Sequence, residues 1–142
     1  VSSISLSHAQ KVIDAALAHA READLKPLSV AVLDSRGALK AAASEEGVSL
    51  KRFEVAHGKA HGALALGMGS RALGARAEQQ AYFIAAASHV AGPLVPVPGG
   101  VLIKSEDGEL LGAVGISGDT SDNDEAACLA GIKAAGLVGD PG

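Results

Sequence analysis

Four side chains capable of chemistry fall within eight residues: Glu54, His57, Lys59 and His61. On an α-helix, residues four apart share a face, so His57 and His61 project together, with Glu54 one turn earlier on the same side. Two imidazoles and a carboxylate at this spacing can hold a divalent metal, and either imidazole can be an axial ligand to a haem iron. Such spacing also arises by chance, and the plainer alternative is a pair of solvated or hydrogen-bonded histidines. Lys59 points to the opposite side of the same helix. Buried there, it has a lowered pKa and can act as acid, base or anion partner; exposed, it is only a surface charge.

A second candidate is Gly115-Ile116-Ser117-Gly118-Asp119-Thr120. Here a strand ends in glycine and hydroxyl residues and runs into a helix N-terminus, where free backbone N–H groups and the helix dipole favour an anion. Ser117, Gly118 and Thr120 are therefore candidate contacts for a carboxylate, phosphate or propionate. Asp122, Asp124 and Glu125 can neutralise the same helix end without any ligand. The segment is neither a Walker loop nor a dinucleotide fingerprint, because the lysine and the Gly-x-Gly-x-x-Gly order are missing. There is no Gly-x-Ser-x-Gly nucleophile elbow.

The elements that must position these residues follow from the apolar pattern. Ser7 and Gln10 have capping-box spacing, and Ala9, Val12, Ile13, Ala16, Leu17 and Ala20 form one helical stripe ending near Ala23. Leu28–Leu33 and Ala38–Ala43 read as a hairpin around Asp34-Ser35-Arg36-Gly37. Ser49 is placed to cap a helix from Leu50 to about Leu66. Its glycines, Gly58 and Gly62, predict close approach of another backbone or a flat ligand, since glycine in a helix costs about 1 kcal/mol relative to alanine. Ser70 is placed to cap a third helix, from Arg71 towards Ala87. Leu94–Val97 reads as a short edge strand limited by Pro96 and Pro98. Strands at Val101–Lys104 and Leu110–Ser117 follow, then a last helix capped by Thr120 or Ser121, ending near Gly136. Residues 138–142 read as a loose tail. Hairpins and segregated strands predict an α+β fold with an antiparallel sheet.

The chain has 142 residues, a size that fits one domain, residues 1–142. Apolar types make up 48% of it, yet only Phe53, Tyr82 and Phe83 are aromatic, so alanine, valine and leucine must do the packing. Small side chains bury little area each, and this predicts tight helix–sheet contacts with further burial by self-association. The net charge is −4, with the charges interspersed. No basic run or aromatic platform supports nucleic-acid binding. No apolar stretch is long enough to span a membrane, and no signal peptide is visible. Cys128 is the single cysteine, which suits a reducing compartment and a cytoplasmic location. A lone helical thiol reads as a core residue. His8, His19 and His89 read as surface or loop histidines.

Five segments, in order, resemble the GlcG/HbpS-like family over roughly Leu6 to Gly136: Leu6-Ser7-His8-Ala9-Gln10; Val30 to Gly37; Gly58-Lys59-Ala60; Pro96-Val97-Pro98-Gly99-Gly100-Val101; and Gly112 to Gly118 followed by Asp124-Glu125. Members of that family include haem-binding proteins, the protein encoded beside glycolate oxidase, and the C-terminal domain of PduO-type corrinoid adenosyltransferases. The resemblance implies a profilin-like fold, a five-stranded antiparallel sheet flanked by helices, often assembled into homo-oligomers. It implies haem or a corrinoid as ligand, and it makes Lys59, Pro98, Gly99 and Gly100 pocket residues. His57 and His61 depart from the family's usual types, which leaves open a ligand set peculiar to this chain.

Three functions are compatible with these features. The first is binding of haem or a related tetrapyrrole. The second is a catabolic enzyme, an isomerase, lyase or hydrolase acting on a carboxylated small molecule through Lys59 and the glycine-rich turns. The third is an oligomeric accessory subunit without chemistry of its own.

Overall fold

The computed structural model describes residues 2–142. In chain order the elements are α1 (Leu6–Glu22), β1 (Ser29–Asp34), β2 (Leu39–Ser44), α2 (Arg52–Leu66), α3 (Ser70–Gln79), α4 (Ala81–Ala91), β3 (Gly100–Lys104), β4 (Leu110–Ser117), α5 (Ser121–Ala134) and β5 (Val138–Asp140). The strands form one sheet in the order β2-β1-β4-β3-β5, and every neighbouring pair is antiparallel. This is the antiparallel α+β architecture that the sequence pattern predicts and the profilin-like arrangement that the resemblance implies.

Strand alternation divides the core in two. Val30 and Val32 of β1, Val101 and Ile103 of β3, and Val114 and Ile116 of β4 join Val12, Ile13, Ala16, Cys128 and Ile132 of α1 and α5. On the opposite face Leu33, Leu102 and Ala113 meet Ala60 and Ala63 of α2. The periodic stripe of α1 is the buried one, with Ala9, Val12, Ile13, Ala16 and Ala20 inside.

Four local readings need correction. The cap of α1 is Ser5, whose hydroxyl accepts from the His8 amide, and not Ser7. Ser49 caps nothing: α2 starts at Arg52 without a side-chain cap, and the Ser49 Oγ accepts instead from Arg52 Nε at 3.2 Å. The helix read as continuous from Arg71 breaks at Gln80, with φ −140° and ψ 65°, where the Gln80 Oε1 accepts from Arg76 Nε at 2.6 Å. The fifth strand is Val138–Asp140 rather than Leu94–Val97. It pairs with β3, is pinned by Lys104 Nζ donating to Asp140 at 2.8 Å, and packs Gly139 close to the Leu129 and Ile132 side chains.

Candidate functional site

α2 is the element around which the candidate residues are arranged, and three of its flanks do different work. The flank toward the sheet buries Ala56, Lys59, Ala60 and Ala63. The glycine flank receives the chain's own segment 94–95. A Cβ on Gly58 would come within 2.7 Å of Val95, and one on Gly62 within 2.9 Å of Leu94, while the Val95 amide donates to the Gly58 carbonyl at 3.2 Å. The close approach predicted from these glycines is therefore intramolecular. The third flank carries Phe53, His57 and His61 at the half-exposed surface.

Lys59 is 2% exposed. Its Nζ donates to the Ile116 carbonyl at 2.9 Å and to Asp124 at 3.2 Å. A Cβ on Gly99 would sit 2.8 Å from that Nζ, and one on Gly100 only 2.3 Å from the Lys59 carbonyl oxygen. The two glycines therefore make room for the lysine and its helix, and the side chain reaches Asp124 on α5 past a bare backbone. Asp124 is 1% exposed. Burial pushes its carboxyl above the ordinary carboxylate value, and Lys59 opposes that shift. Its other oxygen accepts from the Asp119 amide at 3.0 Å. Lysine, glycine turn and strand end do converge, but into a packed ion pair. Cys128 beside them is buried, and burial pushes its thiol far up, as a core residue requires.

The helix end at Ser117–Thr120 is satisfied from within. The Thr120 Oγ accepts from the Asn123 amide at 3.2 Å, the Thr120 amide donates to Asp119 at 2.8 Å, and Asp124 takes the Asp119 amide. Gly118 is held against Pro27, whose carbonyl oxygen a Cβ there would meet at 2.2 Å. Ser117 is fully buried and its hydroxyl accepts from Arg52 at 3.1 Å. Arg52 has no place in the sequence reading, because a solitary arginine at a helix start carries no motif.

His57 and His61 stack with ring centroids 5.5 Å apart, and Phe53 lies 6.0 Å beyond His57. Partial burial, then the neighbouring His61, hold His57 below the ordinary imidazole value. His61 Nδ1 lies 2.9 Å from the Pro93 carbonyl oxygen. A carbonyl only accepts, so Nδ1 must carry the proton, and the neutral ring then has its lone pair on Nε2. The edge bearing Nε2 is bordered by Gly37 and Gly92: Cβ atoms there would lie 3.9 Å from Cδ2 and 3.7 Å from Cε1. Glu54 turns to Lys51 at 3.5 Å instead. Among the described residues no three His, Cys, Asp or Glu side chains form a metal-holding group, so the expected Glu54–His57–His61 triad is not assembled.

Three concavities surround these parts. A cleft of about 510 Å³ lies between α3 and Pro96-Val97-Pro98, with Arg71 and Glu78 at its rim. An apolar groove of about 440 Å³ runs between the end of α2 and α4, lined by Ala65, Leu66, Phe83, Ala87, Val90 and Ala91. A pocket of about 230 Å³ sits among Lys26, Pro27, Val48, Ser49, Arg52 and Gly118. Pro98 thus faces the first cleft while Gly99 and Gly100 are buried behind it. Among the described residues no helix is long and apolar enough to cross a membrane.

Fold and site together define a profilin-like α+β protein with surface clefts beside α2 and α3. The chain belongs to the HbpS-like family: the sequence profile of that family, described as haem degrading protein HbpS-like, matches residues 4–133. Among solved structures, the chain is similar to PduOC crystallised in complex with haem, at 25% identity and TM-score 0.84, over 95% of this chain and 96% of that one. It also has the fold of a double mutant of HbpS from Streptomyces reticuli, at 22% identity and TM-score 0.81, over 94% of this chain and 87% of that one. A third similar structure is the ORFY protein of Klebsiella pneumoniae, at 20% identity and TM-score 0.85, over 96% of this chain and 92% of that one. No curated protein matches the sequence.

Proposed function

We propose that this protein binds haem on the outer flank of α2, with His61 as the iron ligand. The observation that carries the reading is the Nδ1 contact of His61 with the Pro93 carbonyl. Metal-binding histidines characteristically give the proton of one ring nitrogen to a carbonyl, which orients the ring and presents the other nitrogen as donor. Ala65 lies four residues beyond His61 on the same helical face and opens the apolar groove toward Phe83, Ala87 and Val90. A flat, largely apolar macrocycle needs this combination of one nitrogen donor and an adjoining apolar surface. His57, held below the ordinary imidazole value by burial and then by its neighbour, supplies a second imidazole beside the first. When bound, haem would supply the redox and oxygen chemistry, and the chain's own part is to orient the imidazole and to shield one side of the ring with α4. The family membership and the haem-bound PduOC structure support the reading.

Haemin added to the apoprotein is expected to give a saturable Soret band at one equivalent per chain. His61→Ala should shift that band and weaken binding at least ten-fold, and His57→Ala should do so less. A featureless titration, or a His61→Ala spectrum identical to the parent's, would reject the site. Cobalamin in place of haemin tests a corrinoid as ligand. The reading of Lys59 as a catalytic group gains no support from its geometry, since the ammonium is enclosed and committed to Asp124 and Ile116. We further propose that the chain assembles into homo-oligomers through the exposed apolar surface of α4, where Tyr82 is 73% and Val90 91% exposed.

A further inference from the structure

We propose that the pocket beside Arg52, on the far end of α2 from the haem site, binds a small oxyanion of the carboxylate or phosphate type. Arg52 is fixed from two directions: Nε donates to the Ser49 Oγ at 3.2 Å and Nη1 to the Ser117 Oγ at 3.1 Å. Ser117 is fully buried, so the guanidinium rests on a rigid base. Among the described residues it has no carboxylate partner within ion-pair distance. Three of its five N–H donors remain unspent, and they border the pocket of about 230 Å³ that Lys26, Gly47, Val48 and Gly118 complete. That volume is enough for a small acid or a phosphate. Planar or forked oxyanions are what a pre-oriented guanidinium recognises best.

The acidic groups nearby do not fill this role. Asp119 receives the Lys26 and Thr120 amides and the Asn123 side chain, which leaves it at the helix end. Glu45 is taken by Arg21 and the Leu28 amide. Lys26 adds a second positive charge at the rim, moderated by Asp119, so Arg52 is the anchor. Glycine is required at two wall positions: Gly47 has φ +86° and Gly118 lies against the Pro27 carbonyl. They keep the backbone low around the pocket.

The test is an amide NMR titration of the full chain, without haemin, using inorganic phosphate in one series and malonate in another, with sodium chloride at matched ionic strength as control. Saturable shifts at Gly47, Val48, Ser49 and Gly118, with a dissociation constant of about 1 mM or tighter, are expected from at least one of the two. The stronger probe distinguishes a phosphate from a carboxylate site. Arg52→Gln should weaken binding at least ten-fold and Arg52→Lys several-fold, because lysine keeps the charge and loses the fork. Arg71→Gln should leave it unchanged. Shifts that never saturate, that sodium chloride reproduces, or that Arg52→Lys leaves at parental affinity overturn the proposal. The last variant decides the matter even if the glutamine form does not fold.

Discussion

The two faces of the sheet are built from different materials. Toward α1 and α5 the strands present Val30, Val32, Val101, Ile103, Val114 and Ile116, branched side chains that fill the space between layers. Toward α2 they present Ala31, Gly100, Ala113 and Gly115, with Leu33, Leu102 and, at the start of β4, the half-buried Leu110 as the larger side chains. A Cβ on Gly115 would lie 1.9 Å from the Ala56 carbonyl oxygen, so helix backbone touches strand backbone there. The large-residue face is stabilised by apolar area removed from water; the small-residue face gains close packing and exact placement of one helix. The difference explains how a chain with three aromatic residues holds α2 against the sheet, by backbone contact rather than by large side chains. Lys59 joins the two constructions, since it leaves the small face and pairs with Asp124 on α5.

That junction is where the comparison breaks most easily. Lys59→Ala should cost about 3–5 kcal/mol, because Asp124 is left as an uncompensated buried charge. The double variant Lys59→Met with Asp124→Leu should recover most of that loss, as apolar replacements of buried pairs often do. Urea unfolding of both variants measures it, and a double variant as unstable as the single one would show that the charges themselves are needed. On the large face Ile116→Ala should cost about 2–5 kcal/mol by leaving a cavity. On the small face the sign of the volume change reverses: Gly115→Ala adds one methyl and should still cost about 1–3 kcal/mol by forcing α2 off the sheet. If Gly115→Ala is tolerated without loss, the backbone contact is looser than the geometry indicates. Its effect on haemin binding would then separate stability from placement.

Much of this plan is legible in the sequence, and the gaps have physical causes. The α1 stripe, the β1–β2 hairpin, β3, β4 and the Thr120 cap all rest on local rules: apolar period, turn residues and a hydroxyl at the helix start. The family segments bring Lys59 to Gly99 and Gly100, and the structure has them touching. What the sequence hides is tertiary. The break at Gln80 involves neither glycine nor proline. β5 is three residues long and becomes a strand only because β3 offers an open edge and Lys104 an ion pair. Arg52 becomes a candidate only because Ser117, 65 residues away, supports it. Conversely, helical spacing alone suggests the metal triad, and among the described residues no such group is assembled.

The smallest effects belong to the turn where the two faces meet, and there pH tells its two carboxylates apart. Asp119 accepts from Asn123 first, then from the amides of Lys26 and Thr120, and these hold its carboxyl down at about 2, against an ordinary 3.8. A lowered carboxylate stabilises the fold fully above its unfolded value and loses that contribution as pH falls from about 3.8 toward 2. Asp124 runs the other way: with its carboxyl raised by burial, its contribution is greatest below 3.8 and declines as pH rises through the folded value. Asp119→Asn should therefore flatten part of the acid limb of a stability–pH curve, with little change in its remainder. Asp124→Asn should lessen the decline above pH 3.8, after allowance for the constant cost of leaving Lys59 alone. Thr120→Ala gives the pH-independent reference, a loss of about 1 kcal/mol from the missing helix cap. Thermal melts from pH 2 to 7 on the three variants read all of this, and a parallel offset for Asp119→Asn would mean that its hydrogen bonds, rather than its charge, stabilise the turn.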